Sequence, residues 1–334
     1  MANNGAATQT SLETEEGVYR IGEVSRMTSV KAFVLRYWET EFPMPQYANT
    51  NWYNAHNFYG DLKDIEAATL SDVQAFFKTY YAPNNAALAI VGDFEVVQAR
   101  QWVEKYFGGI KASDLPAQPD LAETKQTKEK NASRVDALAK RPGIAIAYHM
   151  PERNSPEYYA MGLIDQMLIE GDDSLAYQEL VQKQGLTAAV QGGINYLGNM
   201  FNYKGPMLFM ADLRHDAATK PETIVKAWDT AVEPLRTKPV DKAVLDRARV
   251  KLRSDFYDNV NQLNGFGLAD LLASFALFDD NPARINTLVS EFEKVTPELI
   301  QKTAQEYLKP ENRTVLVLEV KPEAAKPAEA PAKN

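Results

Sequence analysis

The sequence predicts an α+β fold in which one helix–turn–strand unit occurs twice, and two observations carry that reading. Thr69–Val91 (TLSDVQAFFKTYYAPNNAALAIV) lies over Thr296–Leu318 (TPELIQKTAQEYLKPENRTVLVL) without a gap, each residue matching one 227 positions later. Thr69/Thr296, Gln74/Gln301, Tyr80/Tyr307, Pro83/Pro310 and Asn85/Asn312 coincide, as does the apolar pattern. A fixed long-period repeat of this kind signals duplicated units. The second observation is that helical periodicity alternates with short continuous apolar runs from Thr69 onward, the pattern of helices packed on buried strands.

The elements follow in order. Residues 1–17 are polar and read as a disordered tail. Residues 18–45 read as two short helices, with apolar stripes at Ile21, Val24 and Met27 and then at Val30, Val34, Leu35 and Trp38; Pro43 and Pro45 stop the second. Residues 46–60 show no period and read as a loop. In the first repeat unit Val73, Phe76, Phe77 and Tyr80 share one helical face, Pro83-Asn84-Asn85 makes a turn, and 86–93 (AALAIVGD) reads as a short buried strand. Val96–Phe107 is an amphipathic helix ended by Gly108-Gly109.

The polar stretch that follows contains a linker at 126–140. A second domain over 141–320 opens with a strand at Gly143–Met150, then a helix over Tyr158–Ile169 started by Ser155-Pro156-Glu157. Further helices are expected near 174–183, 221–235, 241–260 and 266–278, with strands around 188–194 and 207–213. The second repeat unit closes the domain, and residues 321–334 read as a tail. The repeat also shows an imbalance, because the second copy is preceded by a long run of strand and helix and the first is not. Residues 46–125 are accordingly the back half of a first domain.

Composition narrows the function. The chain has 334 residues, 45% hydrophobic and 24% charged, with 36 basic and 45 acidic side chains for a net charge of −9. That balance opposes nucleic-acid binding by the whole protein, because counterion release needs clustered Lys and Arg. There is no cysteine, which excludes disulfides, thiol nucleophiles and Cys-ligated zinc. No apolar run is long enough to span a membrane and no secretory h-region is present, so a cytoplasmic product without a membrane partner is expected.

The stretches DLKDIEAATLSDVQAFFKTYYAPNNAALAIVGDF and GIAIAYHMPERNSPEYYAMGLIDQMLIEGDDSLAYQELVQKQGL carry a resemblance. They resemble the end of the first domain and the start of the second in insulinase/pitrilysin-type (mitochondrial-processing-peptidase-like) zinc peptidases; KAVLDRARVKLRSDFYDNV and the closing unit fit the end of the second. The likeness covers about 49–321. It implies two α+β domains with antiparallel sheets and helices packed on them, enclosing a chamber where peptides add in extended form. It also implies zinc held by an inverted His-x-x-Glu-His motif.

This chain has three histidines, His56, His149 and His215, with no two at helical spacing and no HxxEH. Each reads as a structural or surface residue. The family's Arg/Tyr pair, which holds the substrate carbonyl, falls in the stretch Glu179–Ala188, where Val181 and Ala188 stand instead and offer no donor. No catalytic or metal residue is therefore assigned and no cofactor is expected, zinc belonging to the family but its ligands missing here. The expected function is a non-catalytic scaffold that pairs with a peptidase subunit of the same family or binds a peptide, with no zinc-dependent proteolysis by the isolated chain.

A second resemblance supports an alternative. YRIGEVSRMTSVKAFVLRYWETEFP, Tyr19–Pro43, is similar to the helix-turn-helix opening of mercury-resistance-regulator (MerR-type) transcription factors. It implies a helix placed in a major groove, with Lys31, Arg36 and Tyr37 as the candidate DNA-binding residues through phosphate. The plainer reading is that Lys31 and Arg36 are solvated charges and Trp38 a packing residue. Neither the wing nor the dimerising helix of such regulators is visible in the residues that follow.

Overall fold

The computed structural model describes residues 44–55, 67–136, 139–195, 199–261 and 267–321. The chain divides between Pro43 and Met44 into two units, and all the described residues lie in the second. The expected tails, nearly all of the expected helix-turn-helix with Lys31, Arg36 and Tyr37, and His56 lie outside the described residues.

In chain order the helices are α1 (Met44–Ala48), α2 (Trp52–Ala55), α3 (Leu70–Tyr80), α4 (Val96–Phe107), α5 (Pro156–Leu168), α6 (Pro221–Thr237), α7 (Lys242–Val260), α8 (Leu268–Asp279), α9 (Leu288–Glu293) and α10 (Pro297–Tyr307). A π-helical turn occupies Tyr177–Lys183. The strands are β1 (Lys130–Asp136), β2 (Gly143–His149), β3 (Gln191–Ile194), β4 (Leu208–Arg214) and β5 (Arg313–Val320). They form one sheet in the order β1-β5-β2-β4-β3, antiparallel except for the parallel β1–β5 pair.

The central strands explain the core. β2 (GIAIAYH) and β4 (LFMADLR) are buried at every residue but the last, the signature of strands covered on both faces. α5 is apolar nearly all round and buried at ten positions, as a helix enclosed by the core must be. It starts where Ser155 Oγ accepts from the Tyr158 amide at 3.1 Å and Pro156 supplies the preset φ of the first turn. On α6 the fully buried Trp228 donates from Nε1 to the Tyr148 hydroxyl of β2 at 2.9 Å, which satisfies the indole inside an apolar layer.

Three expectations are corrected here. The stretch 126–140 is more than a connection, since it holds β1. Gln126 Nε2 donates to the Arg313 carbonyl at 2.6 Å and Arg313 Nε to Glu129 at 2.7 Å, which brings Lys130–Asp136 alongside β5. β1 is a polar edge strand held by ladder hydrogen bonds, so its composition conceals it. Residues 46–60 are not simply loop, because α1 and α2 fall there. Met44 and Ala48 are buried on the sheet, and Pro45 sits in the first turn of α1, where its missing N–H is no loss. Residues 86–93 form no strand, for the reason given in the next subsection.

One buried ion pair ties α8 to the segment before α5. Arg153 donates from Nη2 and Nε to Asp279 at 2.8 and 3.1 Å, and Asn154 Nδ2 adds a third bond at 2.8 Å. Burial raises the Asp279 pKa, but Arg153, Asn154 and Arg284 outweigh it and hold the carboxyl below its ordinary value. The pair therefore stabilises the fold at neutral pH, and that contribution is lost as pH falls below the ordinary carboxylate range. Asp279→Ala, which leaves Arg153 buried and unpaired, is expected to lose about 3–5 kcal/mol in urea denaturation; a loss below about 1 kcal/mol would show that water replaces the carboxylate there.

Candidate functional site

The two repeat units have the same local geometry and opposite surroundings. Thr69 caps α3 at φ −101°, ψ 163°, and Thr296 caps α10 at φ −100°, ψ 162°. In both copies two residues separate the helix end from a short 3-10 turn, Pro83–Asn85 in one and Pro310–Asn312 in the other. In each the turn Asn closes back onto the helix: Asn85 Nδ2 donates to the Tyr80 carbonyl at 2.9 Å and Asn312 Nδ2 to the Tyr307 carbonyl at 2.8 Å. Identical offsets down to a side-chain hydrogen bond bear out the duplicated unit.

The second copy is buried. Ile300, Thr303, Ala304 and Leu308 face α5 and α6, and β5 is enclosed by β1 on one side and β2 on the other. At the matching positions of the first copy, Val73 is 46% exposed, Phe76 53%, Phe77 50% and Tyr81 66%, and Leu88, which matches the buried Val315, is 61% exposed. Residues 86–93 form no strand and pair with no described strand, so the expected strand has no ladder to join. α4 continues the bare surface with exposed Val97, Trp102 and Tyr106. Within the patch the aromatics cluster on one another, Phe77 and Tyr81 with ring centroids 4.2 Å apart. A cluster of exposed aromatic rings such as Phe76, Phe77, Tyr80 and Tyr81 is the kind of apolar surface that marks an interaction site.

A polar hub ties the front of the described chain to the complete sheet, and nothing in the sequence pattern pointed to it. Glu123 accepts from the Thr50 amide and hydroxyl at 2.8 Å each, from the Asn51 amide and from Asn54 Nδ2 at 2.8 Å. Burial raises its pKa, yet these donors together lower it, so the carboxylate stays ionised. Lys130 Nζ donates to the Ala48 carbonyl at 2.5 Å, and His149 Nε2 lies 3.2 Å from the same oxygen. Burial pushes the His149 pKa down, which keeps it neutral.

The described residues do not fit the family's zinc site. His149 faces Leu208 at one end of the β2–β4 pair, whereas His215 follows Arg214, which faces Gly143 at the other. That ladder separates the two imidazoles by roughly 20 Å. His215 is buried, with Nδ1 3.0 Å from the Asp216 carbonyl. Among the described residues no three His, Cys, Asp or Glu side chains come close enough to hold one metal ion. Val181 is half-buried in the π-helical turn and Ala188 is exposed just before β3. Of the candidate DNA-binding residues, none lies among the described residues.

A family model described as the Peptidase M16 inactive domain matches residues 67–252, more than half of the chain. The chain belongs to that family. The M16 match runs from the bare repeat unit through the hub region and into α7. Among curated relatives, the zinc protease PqqE of Helicobacter pylori is 24% identical over 261 residues, covering 78% of this chain and 57% of the relative. The chain thus spans little more than half the length of that protein. Among solved structures, a protease from Helicobacter pylori superposes with a TM-score of 0.74 at 22% identity, covering 86% of this chain and 69% of that one. A peptidase M16 inactive domain from Pseudomonas fluorescens gives 0.71 at 17% identity, covering 92% and 72%. These likenesses bear out the α+β fold and the peptidase resemblance. A second model, the MerR HTH family regulatory protein, matches residues 19–56.

The two copies of the turn predict unequal effects of one substitution. Asn312 is buried and also donates to the His149 carbonyl at 3.0 Å, so Asn312→Ala is expected to lose about 1–3 kcal/mol in chemical denaturation. Asn85→Ala, at an exposed position of the same geometry, is expected to change stability by no more than about 0.5 kcal/mol. Equal losses would mean that the first copy is also enclosed.

Proposed function

We propose that this M16 chain is a non-catalytic peptidase-like scaffold that docks a partner subunit of its own family against α3, residues 86–93 and α4. The observation that carries the reading is the contrast between the two copies. One sequence pattern is enclosed by two strands and two helices in the second copy and is bare in the first. A partner that lays strands beside 86–93 and a helix layer over Phe76 and Phe77 would repeat what β1, β2, α5 and α6 do for the second copy. Backbone pairing would supply register, and the aromatic face would supply affinity. No described helix is long and apolar enough to cross a membrane, so bilayer insertion of a helix does not compete for this surface.

The test is sedimentation of the chain with a zinc-motif M16 subunit. A defined complex is expected from the native chain, and none from Phe76→Lys or Leu88→Lys, whose own unfolding midpoints should stay unchanged because both side chains are already exposed. A complex that tolerates both substitutions, or no complex at all, refutes the docking. Proteolysis is tested separately. Metal analysis of the isolated chain should find no stoichiometric zinc, and hydrolysis of a fluorogenic peptide should show no component sensitive to chelators. Zinc-dependent turnover would restore the chain to the catalysts.

The MerR match over 19–56 favours a second reading, a DNA-binding regulator with Lys31, Arg36 and Tyr37 on the phosphate backbone. Gel-shift titration at several salt concentrations separates the two readings. Sequence-specific binding with a steep salt slope, reduced by Lys31→Ala and Arg36→Ala, supports the regulator; no shift at micromolar protein leaves the scaffold alone.

A further inference from the structure

A cavity of about 490 Å³ lies between α5, β3, α7 and α8, apart from the repeat unit. Asp165 and Glu170 line it from the α5 side, and Asp255 and Asp258 from α7. Its described lining contains no Lys, Arg or His. The nearest cation, Lys251, is committed elsewhere: its ammonium donates to the carbonyls of Gln166 and Glu170 and to Asp173 Oδ1 at 2.9 Å. Four acidic side chains thus line one space, with Lys251, which acts on Asp165 and Glu170 from outside the lining, as a partial counter-charge.

Two buried acceptors in the same wall have no donor. Asp165 Oδ1 is buried and unbonded. Gln166 is only 9% exposed, and its Oε1 is likewise buried without a partner. The amide is oriented by its other end, since Nε2 donates to Asp255 Oδ2 at 3.2 Å, so the free oxygen is not a matter of ring-like ambiguity in the amide. Buried acceptors are normally satisfied, and two side by side in an acidic cavity imply a donor that is supplied from outside. Burial pushes the Asp165 carboxyl up to about 8, the charges of Glu170 and Asp255 push the same way and Lys251 only partly opposes them; a bound cation would favour the ionised form and release the proton.

The shape of the donor follows from the spacing. Among the described residues no three His, Cys, Asp or Glu side chains converge closely enough to hold one metal ion, and a group with its donors spread over several ångströms suits acids placed on both α5 and α7. A guanidinium does so with five N–H groups in a planar fork. Leu252, Phe256 and Phe201 line the cavity beside the acids and offer an apolar run for an aliphatic stem. The volume stays open because β3 presents Gly192 and Gly193 here; a Cβ at Gly193 would stand 3.5 Å from Asp165 Oδ2.

We infer that this cavity binds an organic cation, a guanidinium or alkylammonium head on an aliphatic stem, with Asp165, Asp255 and the Gln166 side-chain Oε1 as its acceptors. The source is either a basic side chain of a peptide or a free amine, and two probes distinguish them. Calorimetric titration of the full chain with Nα-acetyl-arginine amide represents the first and agmatine the second; citrulline amide is the neutral control. Saturable binding of either cation, with none of citrulline, is expected. Asp165→Asn and Asp255→Asn should each weaken it about tenfold or more, because each removes a charge-assisted bond. Asp165→Asn should not lower the thermal midpoint, since burial already opposes ionisation of that carboxyl and the neutral amide is of the same size, and this separates lost binding from lost folding. Asp173→Asn, outside the cavity, should bind as the native chain does. Citrulline binding as well as arginine, failure of both cations, or indifference to Asp165→Asn and Asp255→Asn would overturn the assignment. None of these outcomes depends on whether a partner docks at α3.

Discussion

The structure turns on whether a strand finds neighbours. β5 has β1 on one side and β2 on the other, and its amides and carbonyls are spent in two ladders while Val315, Leu316 and Leu318 disappear into the core. The first copy carries the same turn, the same cap and the same run of small and branched apolar residues, yet 86–93 has neither ladder. Secondary structure here is a property of the assembled sheet, since an isolated extended segment gains nothing to offset its lost conformational freedom.

The magnitudes show why the bare copy matters. Fully burying one Val, Leu or Phe side chain is worth about 1.5–3 kcal/mol, and Val73, Phe76, Phe77 and Leu88 are each about half exposed, so the four together hold roughly 3–6 kcal/mol in reserve. Association draws down that sum through lost translation and side-chain ordering, so a partner must add backbone pairing and the remaining aromatics to bind tightly. The same surface left uncovered is a hazard, because an unpaired strand segment beside an aromatic face is a template for self-association. Both consequences follow from one missing layer.

Most of the fold was legible in the sequence because its signals were local. The N-cap Ser155 with Pro156, the 3.6-residue stripes of α4, α6 and α7, and the apolar runs of β2 and β4 each announce themselves within a dozen residues. What escaped was set by distant partners. β1 (KNASRVD) has no strand signature and exists because Arg313, 184 positions from Glu129, draws that stretch to the sheet edge. Residues 86–93 have the signature and no partner, so pattern alone errs in the opposite direction. The acids of the cavity were invisible for the same reason. Asp165 and Asp255 look like ordinary charges on amphipathic helices until α5 and α7 are packed together.

The positions that the family resemblance singles out and the packed architecture sit in different parts of the molecule. Val181 is half-buried in the π-helical turn and Ala188 is exposed on the approach to β3, outside the buried core. The residues that join the front segment to the sheet are tied by charged groups, with Glu123 taking four donors and Ala48 receiving Lys130. Those bonds involve a half-buried carboxylate and a partly buried ammonium, so breaking them costs more than losing a donor at the open surface. Packing physics therefore holds this M16 body in shape without calling on a metal or a catalytic group, and it leaves bare α3 at one place and glycine-lined β3 at another as surfaces that its own core does not use.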